Sequence, residues 1–183
     1  MENTLESTAH GTARNPSKSF LKGLGWGFLG GLAGTLVMDL LLMGVLLVLR
    51  QPAVLCFSIV GDTVSRFLAV FGAGVAGGVP TGLMTHYVVG PLFGIIFGAA
   101  VTRLPALRGG SLKKITIAAF VYVELLSQPI LATTPILLNM DAPATLQWFG
   151  GSFVMHLILS IVLGVIVGYG LRPAPLATQR RAQ

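Results

Sequence analysis

A histidine and three glycines recur at every fourth residue from His86 through Gly90 and Gly94 to Gly98. On a helix this spacing lays them along one nearly straight stripe. A helix bare along one stripe brings its backbone close to a neighbour, which is how helices pack in lipid. The stripe carries an imidazole at one end. The same spacing returns at His156, Ser160, Gly164 and Gly168, and a longer version runs through Gly23, Gly27, Gly31, Thr35 and Asp39.

Composition points to lipid as the solvent. Of 183 residues 54% are hydrophobic and 10% charged, where a soluble domain carries about a quarter charged residues. The apolar material falls into blocks close to the ~20 residues that cross a bilayer. The pattern predicts an all-α membrane protein with four transmembrane helices, at about residues 23–49, 83–102, 112–137 and 148–171. Pro91 lacks the N–H that would bond near residue 87, so a kink is expected just below His86. Trp26, Trp148 and Tyr169 are expected as interfacial aromatics.

A net charge of +6 would suggest nucleic acid in a soluble protein, but here its placement explains it without a nucleic-acid partner. Arg14, Lys18 and Lys22 precede the first span; Arg103, Arg108, Lys113 and Lys114 lie between the second and third; Arg172, Arg180 and Arg181 follow the fourth. Four spans place all three clusters on one side, which the positive-inside rule makes cytoplasmic. The expected location is a bacterial or archaeal cytoplasmic membrane with both termini inside. Residues 1–19 read as a mobile cytoplasmic tail and 173–183 as a basic one. Cys56 is the only cysteine, so no intrachain disulfide forms.

Residues 51–81 read as an outer interfacial segment. Phe57, Val60, Val64, Phe67, Leu68 and Phe71 follow helical spacing, while Ser58, Asp62, Ser65 and Arg66 fall mainly on the other side. That describes an amphipathic interfacial helix between the first and second spans, followed by a flexible Gly72–Pro80 segment.

The fourth span aligns with the second, histidine on histidine and two of three glycines matched. Met38-Asp39-Leu40-Leu41 pairs similarly with Val123-Glu124-Leu125-Leu126. This is the signature of two hairpins forming a parallel internal repeat.

Counting from the basic anchors at ~1.5 Å per residue places Asp39, His86 and His156 each about 24–26 Å deep. Glu124 joins that layer or falls short of it, depending on where the third span begins. A charged residue at mid-helix costs roughly 2.5–3.5 kcal/mol on insertion scales, and an interhelical hydrogen bond in lipid returns ~0.6 kcal/mol on average. Hydrogen bonding alone does not offset two ionised carboxylates. They must be protonated, paired with imidazolium, wetted or bound to a cation.

Two histidines with one or two carboxylates suit Fe, Mn or Zn, which makes Asp39, His86, Glu124 and His156 the candidate metal ligands. The glycines beneath His86 and His156 alternatively leave room for haem b with both imidazoles axial. The leading expectation is thus a transition-metal or haem centre for membrane redox or electron transfer. Two rivals stand beside it. One is an accessory subunit that docks a larger complex, or a second copy, through its glycine-rich faces, its polar centre purely structural. The other is a proton-coupled carrier. No nucleophile triad, phosphate loop or cysteine cluster assigns an enzymatic reaction.

Overall fold

The computed structural model describes residues 16–172; most of the expected N-terminal tail and all of the C-terminal one lie outside the described residues. Within them the chain is all-helical: α1 (Pro16–Val48), α2 (Leu55–Val70), α3 (Gly78–Arg103), α4 (Leu112–Leu131), α5 (Thr133–Leu138) and α6 (Ala142–Gly170). Four stretches are long and apolar enough to cross a membrane: Ser17–Val48, Gly78–Arg103, Leu112–Leu138 and Ala142–Gly170. Large apolar side chains point outward along them, among them Leu40, Val48, Met84 and Leu125. A surface of that kind belongs against lipid tails rather than water.

α1, α3 and α6 begin before the stretches that hydropathy alone indicates. Residues 16–19, expected in the tail, are the first turn of α1. Asp141 caps α6, its Oδ1 accepting from the Ala144 N–H at 2.8 Å, with Pro143 in the first turn where no N–H is needed. Ser111 caps α4 by accepting from the Lys114 N–H at 3.3 Å. The expected flexible segment ends early, since α3 already begins at Gly78 and runs unbroken through Pro91.

The third crossing is interrupted instead. Pro135 cannot donate to the Leu131 carbonyl four residues back, and the helix breaks between α4 and α5 at Ala132. The indole N–H of Trp148 donates to Leu131 O at 3.1 Å and satisfies the freed carbonyl. Asn139 ends α5 in the left-handed conformation (φ 52°) that asparagine tolerates.

Close approach between helices follows the small-residue stripes. A Cβ on Gly23, Gly27 or Gly31 would meet the carbonyl of Gly98, Gly94 or Gly90 respectively. The α1 and α3 backbones therefore lie against each other in an antiparallel register that only glycine permits. The wider part of the α1 face meets α6, Gly30 against Leu163 and Gly34 against Leu159. On α6, Gly164 lies against Thr116 and Gly168 against Leu112 of α4. The described stripes are thus buried within the chain. A core of Phe97, Val101, Ile115, Ala119, Val123, Leu159, Leu163 and Val167 fills the centre, and the Tyr122 hydroxyl, donating to Phe93 O at 3.0 Å, ties α4 to α3.

The interfacial segment differs in detail from its amphipathic reading. Phe57 is buried, but Phe67 and Phe71 of the same stripe are exposed, and the other buried positions of α2 are Gly61 and Thr63. A Cβ on Gly61 would meet Gly78 O, and one on Gly82 would meet Phe57 O, so α2 packs directly on α3. Its polar side is bonded to other helices. Asp62 Oδ1 accepts from the Gly78 N–H at 2.8 Å, a carboxylate at a helix N-terminus. Arg66 Nη1 donates to Leu137 O at 2.8 Å, and the hydroxyls of Thr63 and Thr134 share a hydrogen bond at 3.2 Å. These last two bonds fasten α2 to α5.

Candidate functional site: two histidine–carboxylate pairs beside one cavity

The four intramembrane residues assemble as two pairs. His86 Nδ1 lies 2.9 Å from Asp39 Oδ1, with the carboxylate 3% exposed and the imidazole 14%. With Asp39 ionised, Nδ1 carries the hydrogen and donates, which leaves Nε2 as the second ring position. Phe57 packs edge-on against the His86 ring at 5.2 Å between centroids, which holds its plane. Cys56, in the same turn of α2, feels burial first and the Asp39 charge second; together they push its thiol up to about 12.

The second pair is looser. His156 Nδ1 lies 3.8 Å from Glu124 Oε1 and 2.9 Å from the Ser127 hydroxyl. Gln128 Nε2 donates to Glu124 Oε2 at 2.6 Å. Ser127 and Gln128 stand three and four residues after Glu124, one helical turn away on the same face. That spacing was the signal in the sequence for their role.

Register accounts for both pairs. From the contact of Gly27 with the Gly94–Gly98 turn, three helical turns lead to Asp39 on α1 and to His86 on α3. From the contact of Leu112 with Gly168, the same run leads to Glu124 and His156. Twelve residues of helix rise ~18 Å, so each acid reaches its histidine at the same height. The contact of Gly34 with Leu159 brings the two pairs to a common level along α1 and α6. Glu124 therefore belongs to the layer of the other three.

Between the pairs lies a cavity of about 170 Å³, bordered by both His86 and His156. Its wall is mostly apolar, with Val64, Phe93 and Trp148 among the lining residues, joined by Thr85, Ser127 and Thr134. Trp148, expected as an interfacial aromatic, is half-buried and lines this cavity. Among the described residues, three buried polar atoms have no hydrogen-bond partner: Asp39 Oδ2, Glu124 Oε1 and Thr35 Oγ1. Buried polar groups are satisfied as a rule, so each such exception asks for an explanation.

The pairs do not merge into a metal cluster. Among the described residues no group of three or more His, Cys, Asp and Glu stands close enough together to hold a metal ion. The expected four-ligand set is divided by the cavity. The cavity is also smaller than the ~300 Å³ at which pockets for drug-sized ligands begin. What the arrangement offers chemically is two imidazoles, each backed on Nδ1 by an acid or hydroxyl, at the wall of one small chamber. Comparison with protein-family models, with curated proteins and with solved structures gives no match for this chain.

Proposed function

We propose that this membrane protein binds and releases protons at its two histidine–carboxylate pairs, as the centre of a proton-coupled carrier. The observation that carries the reading is that Asp39 and Glu124 are each matched to a histidine yet each keeps one buried oxygen unbonded. A purely structural lock satisfies as a rule the atoms it buries. A proton site needs a vacant acceptor. A carboxylate beside an imidazole takes up one proton without creating an isolated charge, and intramembrane chains of such groups act as proton relays. Asp39 is the primary acceptor, since it is the most buried and the most tightly paired. The other titratable groups near it are Cys56 on α2 and Tyr87 on α3.

The matched acid and histidine positions support two hairpins, α1 with α3 and α4 with α6, related as a parallel repeat. Each hairpin contributes one pair. Lys18, Lys22, Arg103, Arg108, Lys113, Lys114 and Arg172 gather at the end of the bundle away from the site. By the positive-inside rule that end and both termini are cytoplasmic, so the centre lies in the outer half of the membrane.

The test is infrared titration of the carboxyl stretch in lipid nanodiscs, joined to proton flux in proteoliposomes. A protonated carboxylic acid that titrates in wild type and vanishes in Asp39→Asn, with flux lost, is the expected result. Carboxylates that remain ionised throughout, with flux unaltered by Asp39→Asn, refute it.

One feature favours a metal as a second reading. A carboxylate on the far ring nitrogen is the usual partner of a metal-ligating histidine, and Asp39 stands in that relation to His86. His86 and His156 would then be the ligands, with Asp39 behind one of them. Stoichiometric Fe, Mn or Zn in purified protein, lost in His86→Ala, would displace the proton reading.

A further inference from the structure

We infer that the cavity between the two pairs is a binding site for a single-ring quinone headgroup, in either its quinone or its hydroquinone form. The inference rests on the proton-binding reading of the same residues and adds the ligand class.

Size sets the first limit. An engineered apolar cavity of ~150 Å³ takes up benzene, so the ~170 Å³ present here accommodates one six-membered ring. The wall sets the second limit, because Val64, Val89, Phe93, Leu131 and Leu159 offer a flat apolar molecule dispersion contacts and offer a charged metabolite nothing. The position within the bundle then requires a ligand soluble in lipid.

The polar points supply the rest. Nδ1 of each imidazole is already engaged, by Asp39 at 2.9 Å and by Ser127 at 2.9 Å. His86 and His156 both line the cavity, and Nε2 is the nitrogen that each ring has left. When a pair holds its extra proton, Nε2–H donates to a quinone carbonyl. When it does not, a bare Nε2 accepts from a hydroquinone hydroxyl. A benzoquinone carries such a group at each end of one ring, and two imidazoles on different helices are matched to it in number and chemistry. A plain hydrocarbon would leave both nitrogens unpaired.

Trp148 provides the readout, since it lines the cavity and its ring is fixed by the bond to Leu131 O. The other tryptophan, Trp26, packs on Gly170 at the basic end, so Trp26→Phe leaves a single reporter. Decylubiquinone titrated into Trp26→Phe protein in nanodiscs is expected to quench Trp148 saturably. Decylbenzene is expected to compete at least roughly tenfold more weakly, the worth of one hydrogen bond. His86→Ala and His156→Ala should each weaken quinone binding by a similar factor. Val64→Phe fills the chamber while leaving both pairs intact; it should abolish saturable quenching and preserve the infrared proton titration. Quenching that rises linearly without saturating, or that Val64→Phe and both histidine variants leave unchanged, overturns the inference. If the Asp39 titration persists in that event, the proton reading stands without the quinone; if the titration is also absent, both fall.

Discussion

Asp39 on α1 meets His86 on α3 at 2.9 Å, one helical turn above the point where Thr35 meets Gly90. The polar pair and the glycine stripe are consecutive rungs of one antiparallel contact. Close backbone approach below sets the separation at which a short carboxylate reaches an imidazole above. The site therefore depends on the glycines, and changes in either should be felt by the other.

Gly94→Ala tests that dependence. Its Cβ would meet the Gly27 carbonyl and the Gly31 backbone, atoms that cannot rotate away. The expected loss is about 1–3 kcal/mol, the usual range for overpacking, read from reversible unfolding in mixed detergent. Proton flux in proteoliposomes should fall with it. A methyl at Gly25 or Gly44, where nothing lies within contact distance, should cost neither stability nor flux.

The two pairs should respond unequally. Asp39 is 3% exposed and bonded directly to His86, whereas Glu124 is 13% exposed, lies 3.8 Å from His156 and already accepts from Gln128. Asp39→Asn should lower stability by about 1–3 kcal/mol, the penalty for disturbing a buried charged hydrogen bond. Glu124→Gln should change it less. Equal effects in a common unfolding assay would show that the second pair is as tightly coupled as the first.

Cys56 should be slow to react. Thiolate is the nucleophile, and burial, aided by the Asp39 charge, raises this thiol to about 12. At pH 8 a free cysteine near 8.5 is roughly one quarter thiolate, while Cys56 is almost wholly protonated. Maleimide labelling at that pH should run orders of magnitude below a peptide thiol and accelerate as pH rises. Asp39→Asn removes only the smaller of the two causes, so it should quicken labelling modestly.

The bond from Arg66 to Leu137 O joins α2 to the end of α5. Both groups are near the surface, so Arg66→Met should alter global stability by less than about 1 kcal/mol. Its effect should be local, as faster hydrogen exchange in Thr133–Asn139 with the α1–α3 contact unchanged. Exchange that rises equally along α1 and α3 would mean that α2 and α5 support the whole bundle.

Periodicity alone determined a good deal. Stripes at every fourth residue told which faces of the first, second and fourth spans come close, because in a helix that spacing is geometry. Counting along the helices told that Asp39, His86 and His156 share a layer, and left Glu124 open until the register of α4 against α6 placed it there. Hydropathy located four crossings, while the ends of the helices follow caps such as Asp141 and the Pro135 break, which are set by hydrogen bonding rather than by apolarity.

Only the tertiary structure decided how those four residues are grouped. Depth along a helix is linear in sequence, so height was legible; lateral position depends on which helix lies beside which, and nothing local encodes that. Packing of α1 between α3 and α6 divided one imagined four-ligand centre into two pairs across a cavity. It also turned Trp148 inward, where the carbonyl freed by Pro135 holds its indole, and bound Asp62 and Arg66 to neighbouring helices.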